Sequence, residues 1–94
     1  MACYHVVRWR EIPSLVEARD GERTVQIPLS QRFQDLIDAV ALREGASESE
    51  AYLAAWGRDP EAERPGAAQP VAETVAAELE ASFAQYVERY LGNR

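Results

Sequence analysis

Apolar and polar side chains alternate along the first third of the chain in the way that is typical of β-strands. Residues 4–10 are rich in aromatic and β-branched side chains and predict a first strand. Because proline cannot donate a hydrogen bond to a neighbouring strand, Pro13 interrupts the pattern. A second strand is predicted for residues 14–19 and a third for residues 22–27.

Asp20-Gly21 separates the second strand from the third and predicts a two-residue hairpin turn. A type I′ turn needs positive φ at both positions, which Asp tolerates and Gly prefers. This turn places Val16 opposite Val25 on one face of the hairpin and Glu17 opposite Thr24 on the other. The three strands are therefore predicted to form an antiparallel meander.

The apolar positions change to a helical spacing after Ser30, which is a good N-cap. The first helix carries an apolar stripe made of Phe33, Leu36, Ile37, Val40 and Ala41. Gly45 suits its end. Ser47, with Glu50 three residues later, fits a capping box and predicts a second short helix that ends at Gly57.

Residues 57–69 contain two prolines, and no residue of this segment has a large apolar side chain, which predicts a surface loop. Pro70 then suits the first turn of a helix. Its apolar stripe is Val71, Val75, Leu79, Phe83, Tyr86, Val87, Tyr90 and Leu91. About 22 residues give a helix of roughly 33 Å, long for so small a domain. Two interpretations stay open: the helix covers the open face of the sheet, or it pairs with the same helix of a second copy.

These elements predict a single α+β domain over residues 1–94. It consists of a three-stranded antiparallel meander followed by two short helices and a long C-terminal helix. Residues 1–57 form the sheet and the helix pair, residues 58–69 the loop, and residues 70–92 the C-terminal helix. A chain of this length buries roughly two-thirds of its unfolded surface, enough for one core.

The charge of the chain is uneven and disfavours nucleic acid as a partner. The net charge is −6, and all ten basic residues are arginine. Residues 1–33 carry five arginines against four acids, whereas residues 34–94 carry five against twelve. Phosphate binding needs local positive potential, so most of the chain would repel DNA and anionic membranes. No apolar stretch approaches the ~20 residues of a membrane span, and no signal peptide is visible, which predicts a cytoplasmic protein.

From residue 24 to residue 56 the order of a strand, a helix, a Gly break and a Ser-capped helix resembles a ribbon-helix-helix repressor. The resemblance implies that Arg23, Thr24 and Gln26 read DNA from a ribbon of two subunits. Against it, the turn before residue 22 supplies a strand partner from the same chain, and Pro28 removes a donor from the ribbon. DNA binding is therefore the alternative function.

A second resemblance covers most of the first 57 residues. It rests on Trp9, Glu11-Ile12-Pro13, Val16, Asp20-Gly21, Leu29-Ser30-Gln31-Arg32-Phe33-Gln34, Tyr52-Leu53 and Trp56-Gly57. These residues are similar to a small bacterial family labelled as a conserved virulence factor domain. The chain departs from it at Ser30, where the family favours proline, and in a single Trp where a second often follows. The label names a phenotype rather than a chemistry. Relatives that occur near corrinoid and one-carbon methyl-transfer enzymes imply a role accessory to a metabolic enzyme.

The sequence holds little that predicts catalysis. Cys3 and His5 share one strand face, but two ligands fall short of the three or four of a metal site. Four carboxylates at helical positions are interpreted as solvated: Asp35, Asp38, Glu48 and Glu50. No phosphate-binding Gly-rich loop, nucleophile elbow or dinucleotide fingerprint is present. We therefore predict no catalytic residue, no metal and no cofactor.

An arginine and aromatic cluster near the end of the first strand is the best candidate for binding. Arg8 and Arg10 are predicted to share a strand face with Tyr4, where they recognise a carboxylate or an acidic partner, or else cap solvent-side acids. For Trp9 we favour the core. The predicted partner-binding residues are Arg8, Arg10, Trp9, Phe83, Tyr86 and Tyr90. The leading prediction is a non-catalytic protein that associates with a protein partner or with itself.

Overall fold

A five-stranded antiparallel sheet organises the residues that the structure, a computed structural model, describes, namely 1–45 and 50–92. The strands are β1 (Ala2–Trp9), β2 (Ile12–Asp20), β3 (Arg23–Pro28), β4 (Trp56–Arg58) and β5 (Ala62–Arg64). The helices are α1 (Gln31–Arg43), α2 (Glu50–Ala54), α3 (Ala68–Ala81) and α4 (Phe83–Leu91). The strand order is β3-β2-β1-β4, and β5 also pairs with β1. The α+β class is confirmed, but the three-stranded sheet was too small.

The predicted interruption at Pro13 is wrong, because β2 already begins at Ile12. The pairing of β1 with β2 shifts between Val7, which lies opposite Leu15, and Arg8, which lies opposite Pro13. The shift inserts one extra residue into β2, as in a β-bulge. Proline is tolerated at a bulge because the regular hydrogen bonding is already broken there.

The hairpin of β2 and β3 is confirmed as an intrachain pair, but its predicted register was wrong by two residues. Val16 lies opposite Ile27 and Glu17 opposite Gln26, so the turn is made by Gly21 and the residue after it. Gly21 has a φ of +55°, as the first position of a type II′ turn requires. A two-residue shift leaves every side chain on its predicted face.

Asp20 explains why the turn starts one residue later than predicted. Its carboxylate accepts a hydrogen bond from the backbone N–H of Ala68, at the start of α3. Asp20 therefore stays in β2 and caps a helix that lies far along the chain. A carboxylate at this place also suits the partial positive charge of a helix N-terminus.

The free edge of β1 is occupied by the segment that was predicted to be a helix end and a loop. Trp56–Arg58 pairs with the end of β1, and Ala62–Arg64 pairs with its beginning. The helix predicted to reach Gly57 therefore stops at Ala54, and Trp56 belongs to a strand. An unpaired edge leaves backbone donors and acceptors open, so even a polar segment gains hydrogen bonds there. The capping box at Ser47 and the carboxylate of Glu48 lie outside the described residues.

The first helix matches its predicted stripe. α1 buries Phe33, Leu36, Ile37, Val40 and Ala41. Ser30 stands at the N-cap with an extended backbone, but its hydroxyl makes no capping hydrogen bond to α1. It donates instead to Glu80 of α3 at 2.9 Å.

The predicted long C-terminal helix is two helices that meet at Ser82, so that prediction was wrong. Ser82 leaves the helical conformation with a ψ of 4°. α3 packs on β1, β2 and β3, and its residues Val71 and Val75 are buried. α4 turns away to α1, where the rings of Phe83 and Phe33 make an edge-to-face contact with 4.9 Å between their centroids. The apolar stripe that is continuous in the sequence is therefore divided between two helices, of which α3 packs on the sheet and α4 on α1.

The helices and the sheet share one hydrophobic core. Its largest fully buried side chains are Trp9, Phe33, Ile12, Ile37, Val16, Val40 and Pro13. None of the helices in the described ranges combines the length and the apolar character that crossing a membrane requires.

Candidate functional site

A cavity of about 420 Å³ lies where the β1–β2 hairpin meets α4. It is lined by Arg8, Arg10, Glu11, Asp59, Gln85, Tyr86 and Arg89. The side chains come from three separate places: the end of β1 with its turn, the link between β4 and β5, and α4. The size is within the range of small-ligand sites, roughly 300–1,000 Å³.

Arg8 is the best-fixed side chain of this cavity. Its Nε donates to both carboxylate oxygens of Asp59, at 3.0 and 2.9 Å. Its Nη1 donates to the carbonyl oxygen of Glu11 at 2.9 Å and lies 3.4 Å from the hydroxyl of Tyr86. Burial alone would lower the pKa of Arg8, but the contacts with Tyr86 and Asp59 outweigh it and raise the pKa. These contacts keep the guanidinium of Arg8 charged and fix the orientation of its plane.

Arg10 occupies an unusual backbone position in the turn between β1 and β2. Its φ is 56°, a left-handed conformation that glycine adopts more readily. Its N–H donates to the carbonyl oxygen of Ala55 at 2.9 Å. Its guanidinium carbon lies 4.9 Å from the centre of the Trp9 ring, and Nη1 pairs with Glu44. These contacts fix the turn in spite of its backbone conformation.

α4 supplies the far wall of the cavity. Gln85 and Tyr86 both lie near Arg89 on this helix, because residues four and three positions apart are neighbours on a helical surface. Arg89 pairs with the carboxylate of Glu11, and Tyr90 accepts a hydrogen bond from the Glu11 N–H at 3.3 Å. The turn of the first hairpin is thus attached to α4.

Three of the six predicted partner-binding residues meet at this cavity: Arg8, Arg10 and Tyr86. Arg10, however, lies in a turn and does not share a strand face with Arg8, which corrects that prediction. Trp9 is 0% exposed, so its ring belongs to the core and cannot contact a partner. The Trp9 Nε1 donates to the carbonyl oxygen of Tyr52 at 2.9 Å.

Phe83 and Tyr90 lie outside this cavity. Phe83 packs on α1 and lines a shallow apolar groove of about 390 Å³ with Ala84, Val87, Glu88 and Gly92. Tyr90 is half-buried beside Glu11. Neither residue lines the cavity around Arg8.

Sequence reasoning missed four residues of the lining: Glu11, Asp59, Gln85 and Arg89. The helical spacing around Tyr86 would have pointed to Gln85 and Arg89, had their polar side been considered along with the apolar stripe. Asp59 gave no local signal, because its position depends on strand pairing across 51 residues.

The residues of the alternative, DNA-binding prediction lie together on β3. Arg23 and Thr24 are exposed, and the amide of Gln26 donates to Glu17 at 2.8 Å. β3 pairs with β2 of the same chain, as the argument against a two-subunit ribbon required.

Among the described residues, the side chains that the sequence analysis considered as metal ligands contact different partners and do not converge on one point. His5 Nε2 lies 2.9 Å from a Glu17 oxygen without the alignment of a hydrogen bond, and Cys3 Sγ lies 3.9 Å from Glu63. Asp35 and Asp38 accept hydrogen bonds within α1. No group of three or more His, Cys, Asp or Glu side chains in the described parts of the chain is placed to hold a metal ion.

The chain was compared with models of known protein families. A family model described as "Virulence factor" matches residues 7–89. This range includes every residue that lines the cavity. No curated protein and no solved structure matches the chain.

Proposed function

The chain belongs to the Virulence factor family, and we propose that it is a non-catalytic cytoplasmic protein that binds a partner at the cavity around Arg8 and Arg10. The observation that carries the proposal is the meeting of three guanidinium groups at one cavity. Each of them is already oriented by an acid of the same chain. Arg and Tyr are also the residue types that dominate interface energies.

Preorganisation is the physical support for a binding role. A long arginine side chain normally loses rotamer freedom when it binds, which costs about 0.5–1.5 kcal/mol per side chain. Arg8 has lost that freedom in the free protein, since Asp59, Glu11 and Tyr86 hold it. A partner that reaches Arg8 therefore meets a donor that is already in place.

The proposed partner is a protein. It is either an enzyme to which this chain is accessory or a second copy of the chain. The apolar groove of Phe83 and Val87 on α4 suits the second possibility, a homodimer. Sedimentation equilibrium of the purified protein distinguishes an enzyme partner from a second copy of the chain. The variant Val87→Glu should dissociate a dimer formed through α4.

The proposal is tested by capture of partners from a lysate of the protein's own host, followed by titration of the purified partner. We expect the double variant R8Q/R10Q to lose binding and the matched variant Arg58→Gln to keep it. Arg58 is exposed on β4, next to Asp59, but does not line the cavity. Equal binding of both variants would refute this site, provided that their melting curves show that both fold.

DNA binding is the second candidate, favoured by the exposure of Arg23 and Thr24 on the outermost strand. A DNA-binding protein should bind a duplex with an affinity that falls steeply as salt rises. The variants Thr24→Ala and Gln26→Ala should then abolish binding. Binding that is absent at low salt would remove this candidate.

A further inference from the structure

Hydrogen-bond donors exceed acceptors in the cavity. A guanidinium offers five N–H groups and accepts none. Arg8 uses Nε and Nη1, and its Nη2 donates to no residue in the ranges 1–45 and 50–92. Arg10 and Arg89 each use Nη1 for one carboxylate. The lining acids Glu11 and Asp59 already serve Arg89 and Arg8. A ligand of this cavity must therefore bring acceptor atoms.

The charge of the lining favours a single negative charge. Three arginines against two acids leave the lining at +1, because Glu44, which pairs with Arg10, lies outside the lining. The whole chain has a net charge of −6. A carboxylate matches this charge and the planar fork of a guanidinium. A phosphate dianion or a nucleic acid would meet the repulsion of the remaining acids.

Arg10 is a second unusual feature of the cavity, because its backbone conformation would favour glycine. Among the described residues it is the one non-glycine residue with a positive φ, in a turn position where glycine would be unstrained. Its pair with Glu44 is partly exposed, at 38% and 39% of the two side chains, and such pairs stabilise little. The Trp9 ring and Glu44 hold the Arg10 guanidinium where it lines the cavity.

We infer that the cavity binds one carboxylate group of the partner, with Nη2 of Arg8 and the guanidinium of Arg10 as donors to its oxygens. This inference rests on the proposed function. The carboxylate is that of an acidic side chain or that of a chain terminus. Gln85 and Tyr86 face the same space and contact the atoms that carry the carboxylate.

The test is an NMR titration of the ¹⁵N-labelled protein with sodium acetate and, separately, with inorganic phosphate. Acetate should shift the amide signals of Arg8, Arg10 and Tyr86 in a saturable way, and more tightly than phosphate. Arg8→Lys keeps the charge but loses the fork, so we expect acetate binding to weaken roughly tenfold. Arg10→Gly should weaken acetate binding while the protein remains folded. Arg58→Lys is the matched control and should bind as the parent does.

Two short peptides then distinguish a side-chain carboxylate from the carboxylate of a chain terminus. One has a free C-terminus and no acidic side chain, and the other has an amidated C-terminus and one internal Glu. Saturable binding of either peptide supports the inference and identifies the source. Tighter binding of phosphate than of acetate, or no saturable shift with any probe, overturns it. The partner titration with R8Q/R10Q decides the proposed function separately.

Discussion

Replacement of Glu80 by glutamine tests whether the end of α3 holds the start of α1. One oxygen of Glu80 accepts from the Ser30 N–H at 2.6 Å. The other accepts from the Ser30 hydroxyl at 2.9 Å and from Arg32 at 3.0 Å. Glutamine removes the charge and turns one oxygen into a donor, which then faces another donor. We expect the free energy of unfolding to fall.

The magnitude follows from the exposure of these groups. A hydrogen bond to a charged group contributes about 1.5–3 kcal/mol when it is well shielded. The side chain of Glu80 is 31% exposed and that of Arg32 is 49% exposed, so solvent weakens the contacts. At roughly 0.5–1 kcal/mol each, three contacts give a loss of about 2 kcal/mol. For a domain of this size that lowers Tm by roughly 10 °C.

The loss should also depend on pH. Burial alone would raise the pKa of Glu80, but the hydrogen bonds from Ser30 and the contact with Arg32 outweigh it and lower the pKa. Because the folded pKa lies below the unfolded one, the contribution to stability is fully present above the unfolded pKa. It disappears as the pH falls through the folded pKa. The difference between the parent and E80Q should shrink from neutral pH to acid pH.

Urea unfolding followed by circular dichroism at neutral and acid pH measures both effects. The control is Glu73→Gln, in the same helix, where the carboxylate accepts a hydrogen bond from the Gln69 amide at 2.7 Å. That contact should be worth only about 0.2–0.5 kcal/mol. If E80Q loses no more stability than the control, or loses the same amount at every pH, the argument is wrong.

Three further changes are expected to act on stability, each measurable by chemical unfolding. Asp20→Ala should cost about 1 kcal/mol by removal of the cap of α3, whereas Asp20→Asn should keep most of it. Gly21→Ala should cost about 1 kcal/mol from its φ of +55° alone, since an added Cβ meets no atom within 4 Å, and Gly57→Ala should be neutral. Trp9→Phe should cost about 2 kcal/mol, because the core loses volume and the Tyr52 carbonyl loses its donor. Equal effects of Asp20→Ala and Asp20→Asn, or of the two glycine changes, would contradict the reasoning.

Local patterns predicted the elements that depend on neighbours in sequence. The stripe from Phe33 to Ala41 reports a helix with one buried side, and α1 is that helix. The β2–β3 hairpin follows from a turn signal between two alternating strands. The register needed more, because the cap that Asp20 gives to α3 moved the turn by one residue.

The candidate site was predicted only in part for the same reason. Arg8 and Arg10 stood out by residue type and Tyr86 by its place on the apolar stripe, and the structure brings the three to one cavity. No sequence pattern marked Asp59, the residue that orients Arg8. Its position depends on the pairing of β4 and β5 with β1.

By itself the sequence determined the α+β class, the buried side of α1, the hairpin and the excess of acid in the second part of the chain. Periodicity and charge depend on residues that are close in sequence, so they can be identified without knowledge of the fold. Tertiary structure alone decided that a polar segment would complete the sheet and that one apolar stripe would break at Ser82 to cover both the sheet and α1. An open strand edge and an uncovered core exist only after distant elements have met, and the free energy of pairing and packing there overrides local preference.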